Sequence, residues 1–162
     1  MLFLLITSFC VSLSLSAQNR NISLQASGLT CSMCSNSINK ALKTLPFVES
    51  IQANIKTSTF DISIKPGTAA DYDLMKKKVE DAGFFVAKFL VTVSFADMGV
   101  MTNNTVSFQD KRLRFVNMPG AKIITGEQQV RIVSKGFISP KEAKKLKIPA
   151  SATAPKEYYA II

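Results

Sequence analysis

Apolar positions between Asn21 and Phe95 switch between two periods. In NISLQA, Ile22, Leu24 and Ala26 alternate with polar residues, the pattern of a strand with one buried face. A Gly-containing loop, SGLTC, follows. Ile38, Ala41, Leu42 and Leu45 then recur at i, i+3, i+4 and i+7, an amphipathic helical stripe that Pro46 ends. Period two returns through Ile51, Ala53 and Ile55, and again through Phe60, Ile62 and Ile64. A turn at Lys56-Thr57-Ser58 makes these two runs a hairpin. Pro66-Gly67 breaks the chain. Tyr72, Met75, Val79 and Ala82 form a second helical stripe. Asp71 and Asp73 stand where a helix amino terminus favours negative charge, and Gly83 is placed as its C′ residue. Ala87, Phe89, Val91, Val93 and Phe95 make a last strand. The order β-α-β-β-α-β predicts an α+β, ferredoxin-like sandwich over residues 18–95, its antiparallel sheet covered on one face by two helices.

From Ala96 to Ile162 the pattern changes. Val106 and Phe108 alternate, as do Leu113 and Phe115. Ile123-Ile124, Val130 to Val133 and Tyr158 to Ile162 are also strand-like. Turn signals separate them at Asn103-Asn104, Pro119-Gly120 and Thr125-Gly126-Glu127. Ser139-Pro140-Lys141-Glu142 opens one short helix, with Ser139 as N-cap and Pro140 at N1, running to about Leu146. Residues 96–162 therefore read as a small, mainly β module. The pattern leaves a small barrel and a sandwich both open.

The amino terminus, LFLLITSFCVSLSL over residues 2–15, carries no charge. It is shorter than the roughly 20 residues a spanning helix needs, and it fits the apolar region of a signal peptide. Ala17 then precedes the expected cut, with Gln18 as the mature start, although no Lys or Arg precedes the apolar run. The expectation is an exported protein of the bacterial periplasm or cell envelope, with no transmembrane span in the mature chain. Cys10 would leave with residues 1–17, so Cys31 and Cys34 would be the only remaining thiols. Net charge is +9. Residues 18–95 hold nine basic and six acidic residues, and residues 96–162 hold eleven and five, so the carboxy-terminal module carries most of it. No nucleic-acid motif accompanies this charge. The charge reads first as a solvated basic surface, with an acidic protein or a membrane surface as the partner it would suit if it has one.

The chain has no histidine. That excludes His-containing zinc sites, Ser-His-Asp or Cys-His nucleophiles and imidazole-bound Cu(II). What remains is the pair Cys31 and Cys34 in GLTCSMC. Thiols at i and i+3 can face one ligand, and a loop-to-helix position places them at the positive helix end, which stabilises thiolate. Sulfur ligands without imidazole favour soft ions such as Cu(I), and two are too few for a closed structural zinc site. A disulfide or thiol-redox role is the competing reading in an oxidising compartment.

GLTCSMCSNSINKAL, on the first loop and helix of a β-α-β-β-α-β unit, resembles the heavy-metal-associated domain. That family includes copper chaperones, amino-terminal modules of copper P-type ATPases and periplasmic mercury-binding proteins. Gly28, Thr30, Cys31 and Cys34 match its GMTCxxC signature, and Leu29 stands where the usual methionine packs. EDAGFFVAKF extends the likeness, with Gly83 and Phe84 at the family's Gly-aromatic pair. The resemblance implies metal ligation by Cys31 and Cys34, with Gly28, Thr30 and Phe84 supporting or shielding the loop. It implies no catalysis. Cu(I) is the expected cargo, with Hg(II), Ag(I) and Zn(II) as other ions the pair could take. Partners would be donor or acceptor proteins with thiolate or thioether ligands. A redox sensor, or an interaction module on a metal-binding fold, is the alternative. Met33, although a thioether is a soft donor, reads as an exposed loop position, and Met98, Met101 and Met118, with no histidine beside them, read as core or surface filler over a second copper site. Lys76-Lys77-Lys78 reads as a solvated helix face, and Asn21-Ile22-Ser23 and Asn103-Asn104-Thr105 fit the short glycosylation pattern.

Overall fold

The expected order holds through β1 (Ile22–Ser27), α1 (Ser32–Lys43), β2 (Val48–Asn54), β3 (Thr59–Ile64), α2 (Tyr72–Asp81) and β4 (Phe85–Val100). The computed structural model describes residues 22–29, 31–100, 104–117, 122–149 and 154–162, with the backbone alone at 96–100 and 122. The proposed signal segment 1–17, Cys10 and Thr30 lie outside the described residues.

Local chemistry explains the helix ends. The Asp71 carboxylate caps α2, accepting from the Leu74 N–H at 2.9 Å. At the other end Gly83 takes φ +88°, a conformation that costs glycine little. Its N–H donates to the Glu80 carbonyl and the Phe84 N–H to the Val79 carbonyl, so a Schellman turn closes the helix. The buried stripes are Ile38 and Leu42 on α1 and Tyr72, Met75 and Val79 on α2. They cover Leu24, Phe60, Ile62 and Phe89 of an antiparallel sheet ordered β2-β3-β1-β4. This is the ferredoxin-like layer, and it places the β1–α1 loop and the α2–β4 connection side by side.

The chain then adds β5 (Thr105–Phe108), β6 (Lys111–Phe115), β7 (Lys122–Ile132), α3 (Pro140–Lys145) and β8 (Glu157–Ile161). These strands extend the same sheet to eight, ordered β2-β3-β1-β4-β7-β8-β6-β5. The tail strands thus form neither of the architectures the pattern left open. β4 runs past residue 95 because β7 pairs along its outer edge from Leu90↔Arg131 to Val100↔Lys122.

The turn expected at Thr125-Gly126-Glu127 is a correction: these residues sit inside the continuous strand β7. The ladder steps from Phe95↔Gly126 to Met98↔Ile124, leaving an extra residue on β4. Gly126 takes φ +71° at that bulge. A strand glycine marks a bulge as readily as a turn, and only the partner strand decides between them.

One hydrophobic core serves the whole sheet. Tyr72 of α2 meets Phe89 at a tilt with ring centroids 5.2 Å apart, and Tyr158 of β8 likewise at 5.1 Å. Phe137 meets Phe89 edge-on at 5.2 Å and Tyr158 at 5.8 Å. Aromatic pairs of this geometry contribute about 0.5–1.5 kcal/mol each beyond burial. The Tyr158 hydroxyl donates to Asp73 at 2.7 Å, tying β8 to the first turn of α2. Lys111, only 3% exposed, lies 4.7 Å above the Tyr72 ring and pairs with Asp110, whose other oxygen takes Lys156 at 2.6 Å. Lys111 first, and Lys156 second, hold the Asp110 carboxyl at about 2. That matched pair and ring are what make a buried ammonium tolerable. α3 begins as its sequence demands, with the Ser139 hydroxyl accepting from the Glu142 N–H at 3.2 Å and Pro140 in the first turn. It packs on a satellite core of Val133, Ile138 and Tyr159.

Candidate metal centre

The thiol pair is built by the start of α1. β1 ends at Ser27, and Gly28 turns the chain at φ +82°. A Cβ placed on Gly28 would lie 3.9 Å from Phe84 Cδ1, so the turn rests against the α2–β4 connection. Phe84 and Leu29 are half-buried and pack on the main core. Leucine therefore occupies the packing position expected of it.

Cys31 is the N-cap of α1, with extended backbone (φ −148°, ψ 159°) and an exposed side chain. Its Sγ accepts from the Cys34 N–H at 3.3 Å, the contact a serine or aspartate cap would make. Cys34, half-buried, turns its thiol to the same side, and the two sulfurs stand 2.6 Å apart with no disulfide between them. The first turn of α1 carries no acidic residue, so the positive helix end acts on the sulfurs unopposed. The Cys31 thiol is held below its ordinary value. The Cys34 thiol is the largest cause, followed by the Cys34 N–H, with the Met33 N–H adding to both; slight burial opposes them. The arrangement presents a thiol whose ionisation is eased, with a second thiol beside it, and Cys31 is open to solvent.

Among the described residues no group of three or more His, Cys, Asp or Glu side chains is placed to hold a metal ion. The pair thus offers two sulfurs and room for an incoming ligand. Met33, between the cysteines, is 79% exposed. The side chains of Met98, Met101 and Met118 lie outside the described residues, as do Asn21 and Asn103. The lysine run is more engaged than a solvated face. Lys76 pairs with Asp73 at 3.1 Å and sits 5.1 Å over the Phe137 ring, and Lys77 pairs with Asp81 at 2.8 Å. Sequence reasoning gave no role to Phe85, which stands 69% exposed directly after Phe84. The alternation of Ala87 to Phe95, carried back two residues, would have placed Phe85 on the buried face; the ladder instead steps from Gln25↔Lys88 to Ala26↔Val86, and this extra residue on β4 turns Val86 inward and Phe85 outward.

A βαββαβ layer with a CxxC pair capping its first helix defines a class, and the comparisons name it. Residues 23–85 match the family model of the heavy-metal-associated domain, and this stretch is such a domain. A copper-exporting P-type ATPase of Bacillus subtilis (strain 168) is 34% identical over 73 residues, covering 43% of this chain. A copper-transporting ATPase 2 of Rhizobium meliloti (strain 1021) is 35% identical over 65 residues, covering 40%. The matched stretches are 9% and 8% of those two proteins, so the chain spans less than a tenth of either. The water-soluble region of the P-type ATPase CopA from Bacillus subtilis is a solved structure with 31% identity. It covers 42% of this chain and 44% of its own, with a TM-score of 0.37.

Proposed function

We propose that the protein is an exported, non-catalytic carrier that holds Cu(I) between the Cys31 and Cys34 thiolates. It would pass the ion by ligand exchange to a protein bearing thiolate or thioether ligands. The observation that carries this reading is the pair itself: two sulfurs on one side of a helix start with no disulfide between them, one with a depressed pKa. Soft sulfur donors without imidazole select a soft ion. Two ligands leave a coordination position through which a partner's sulfur can enter. That the matched curated relatives are copper ATPases supports Cu(I) over Hg(II), Ag(I) and Zn(II).

Anaerobic titration of reduced protein with Cu(I), Hg(II) and Zn(II) against a competing chelator tests it. Cu(I) should bind the wild type far more tightly than the Cys31→Ser/Cys34→Ser variant; equal binding defeats the proposal. Fractionation of expressing cells, with the mature amino terminus sequenced, tests export. A second reading has one observation in its favour. Sulfurs 2.6 Å apart need little motion to close a disulfide. If the role is redox, thiol-disulfide exchange should proceed at the same rate with and without Cu(I).

A further inference from the structure

Beside the thiol loop lies an apolar groove of about 990 Å³. Ser27 and Phe85 to Ala87 line one side; Ile138, Ala143 and Ile148 line the other. Ser27 is paired across the sheet with Phe85, and its hydroxyl donates to the Phe85 carbonyl at 3.3 Å. The next residues, Gly28 and Phe84, are the ones that meet in the thiol loop. The groove therefore joins the edge of the loop to the α3 segment. Its walls belong to both the matched domain with the start of β4 and the α3 segment that follows β7.

The rim has one dominant sign. Lys135 and Lys144 line the groove, and Lys141, Lys145 and Lys147 are exposed around α3. Two acids also line it. Glu142 has both carboxylate oxygens taken by Arg131, at 2.7 and 3.0 Å, and Glu80 stands on the far side at the end of α2. Resting on the proposed Cu(I) transfer by Cys31 and Cys34, we infer that this groove docks the transfer partner. That partner is a protein that inserts an apolar side chain from an acidic surface. Charge complementarity selects the sign of the partner and speeds its approach. Concavity selects its class: a groove receives a projecting side chain, whereas a membrane is engaged by projecting apolar residues. A second copy of this chain, at net charge +9, would bring like charge to the rim.

Amide chemical shifts of the reduced protein test this with a synthetic peptide of glutamates around one phenylalanine. The expected result is saturable shifts clustered at Ser27, Phe85 and Ile138. Lys135→Glu with Lys144→Glu should weaken the peptide about tenfold, and Phe85→Ser should abolish saturation, with thermal midpoints retained as the folding control. A peptide with lysines in place of glutamates should not bind. The inference is overturned if the acidic peptide does not bind, if its shifts fall elsewhere, or if the lysine reversals leave affinity unchanged. It is equally overturned if only phosphatidylglycerol vesicles bind. The Cys31→Ser/Cys34→Ser variant should still take the peptide, so loss of Cu(I) binding and loss of docking are read separately.

Discussion

The chemistry of the candidate centre is decided by a few atoms around Cys31. Its thiolate is favoured by two hydrogen-bonding groups of one residue, the Cys34 thiol ahead of the Cys34 N–H. The backbone donor survives any substitution that preserves the helix, but the thiol does not. Cys34→Ala is therefore expected to raise the Cys31 pKa towards, without reaching, the value of a free thiol. Alkylation rate against pH, followed by mass spectrometry, reads this directly. In wild type the rate should rise at lower pH than in the variant, and coincident profiles would show that the helix end alone sets the thiolate. The spacing of Cys31 and Cys34 was legible in the sequence because i, i+3 at a loop-to-helix junction is a local property. The approach of Phe84 to Gly28 was legible only through family resemblance, since fifty-odd residues separate the two along the chain.

Whole elements are held by their ends. Gly83 stands in left-handed backbone at the close of α2, with no atom within 4 Å of where a Cβ would go. Gly83→Ala is thus strained by conformation and not by crowding, at about 1–2 kcal/mol. Asp71→Ala, which strips the α2 cap, should cost about 1 kcal/mol. Urea unfolding should show both as lower midpoints at unchanged slope, and Asp71→Ala, at the end of α2 away from the Phe84–Gly28 contact, should leave the proposed Cu(I) affinity unchanged. Elements governed by such signals were readable: Asp71, Gly83, Ser139 and Pro140 all act where their residue types predict. Elements governed by distant partners were not. Gly126 looks locally like a turn residue and becomes part of a long strand because β4 lies opposite. The parallel pairing of β6 with β8 joins residues with more than forty positions between them, and no local pattern encodes it.

At the scale of the molecule, the added strands are joined to the ferredoxin-like layer by the aromatic cluster. Phe137 contacts Phe89 of β4 and Tyr158 of β8, and Phe137→Ala should cost about 3–5 kcal/mol. Because one core and one sheet serve both parts, unfolding should be lowered as a single transition; separate midpoints for the two parts would contradict a shared core. The same cluster makes stability sensitive to alkali. Burial raises the hydroxyl pKa of Tyr72, with Asp110 adding to it, and burial first and Asp73 second raise that of Tyr158. In the unfolded chain both titrate near pH 10. Above that pH the unfolded state releases protons that the folded state retains. The stability these groups contribute is therefore fully present below about pH 10 and lost as pH rises further. Tyr158→Phe removes one of the two groups together with its hydrogen bond to Asp73. The variant should start less stable at neutral pH by about 0.5–1.5 kcal/mol. Between pH 9 and 11 it should then lose stability less steeply than wild type. Urea midpoints measured across that range decide it: parallel lines for the two proteins would mean that the Tyr158 hydroxyl titrates alike in both states, against its burial beside Asp73.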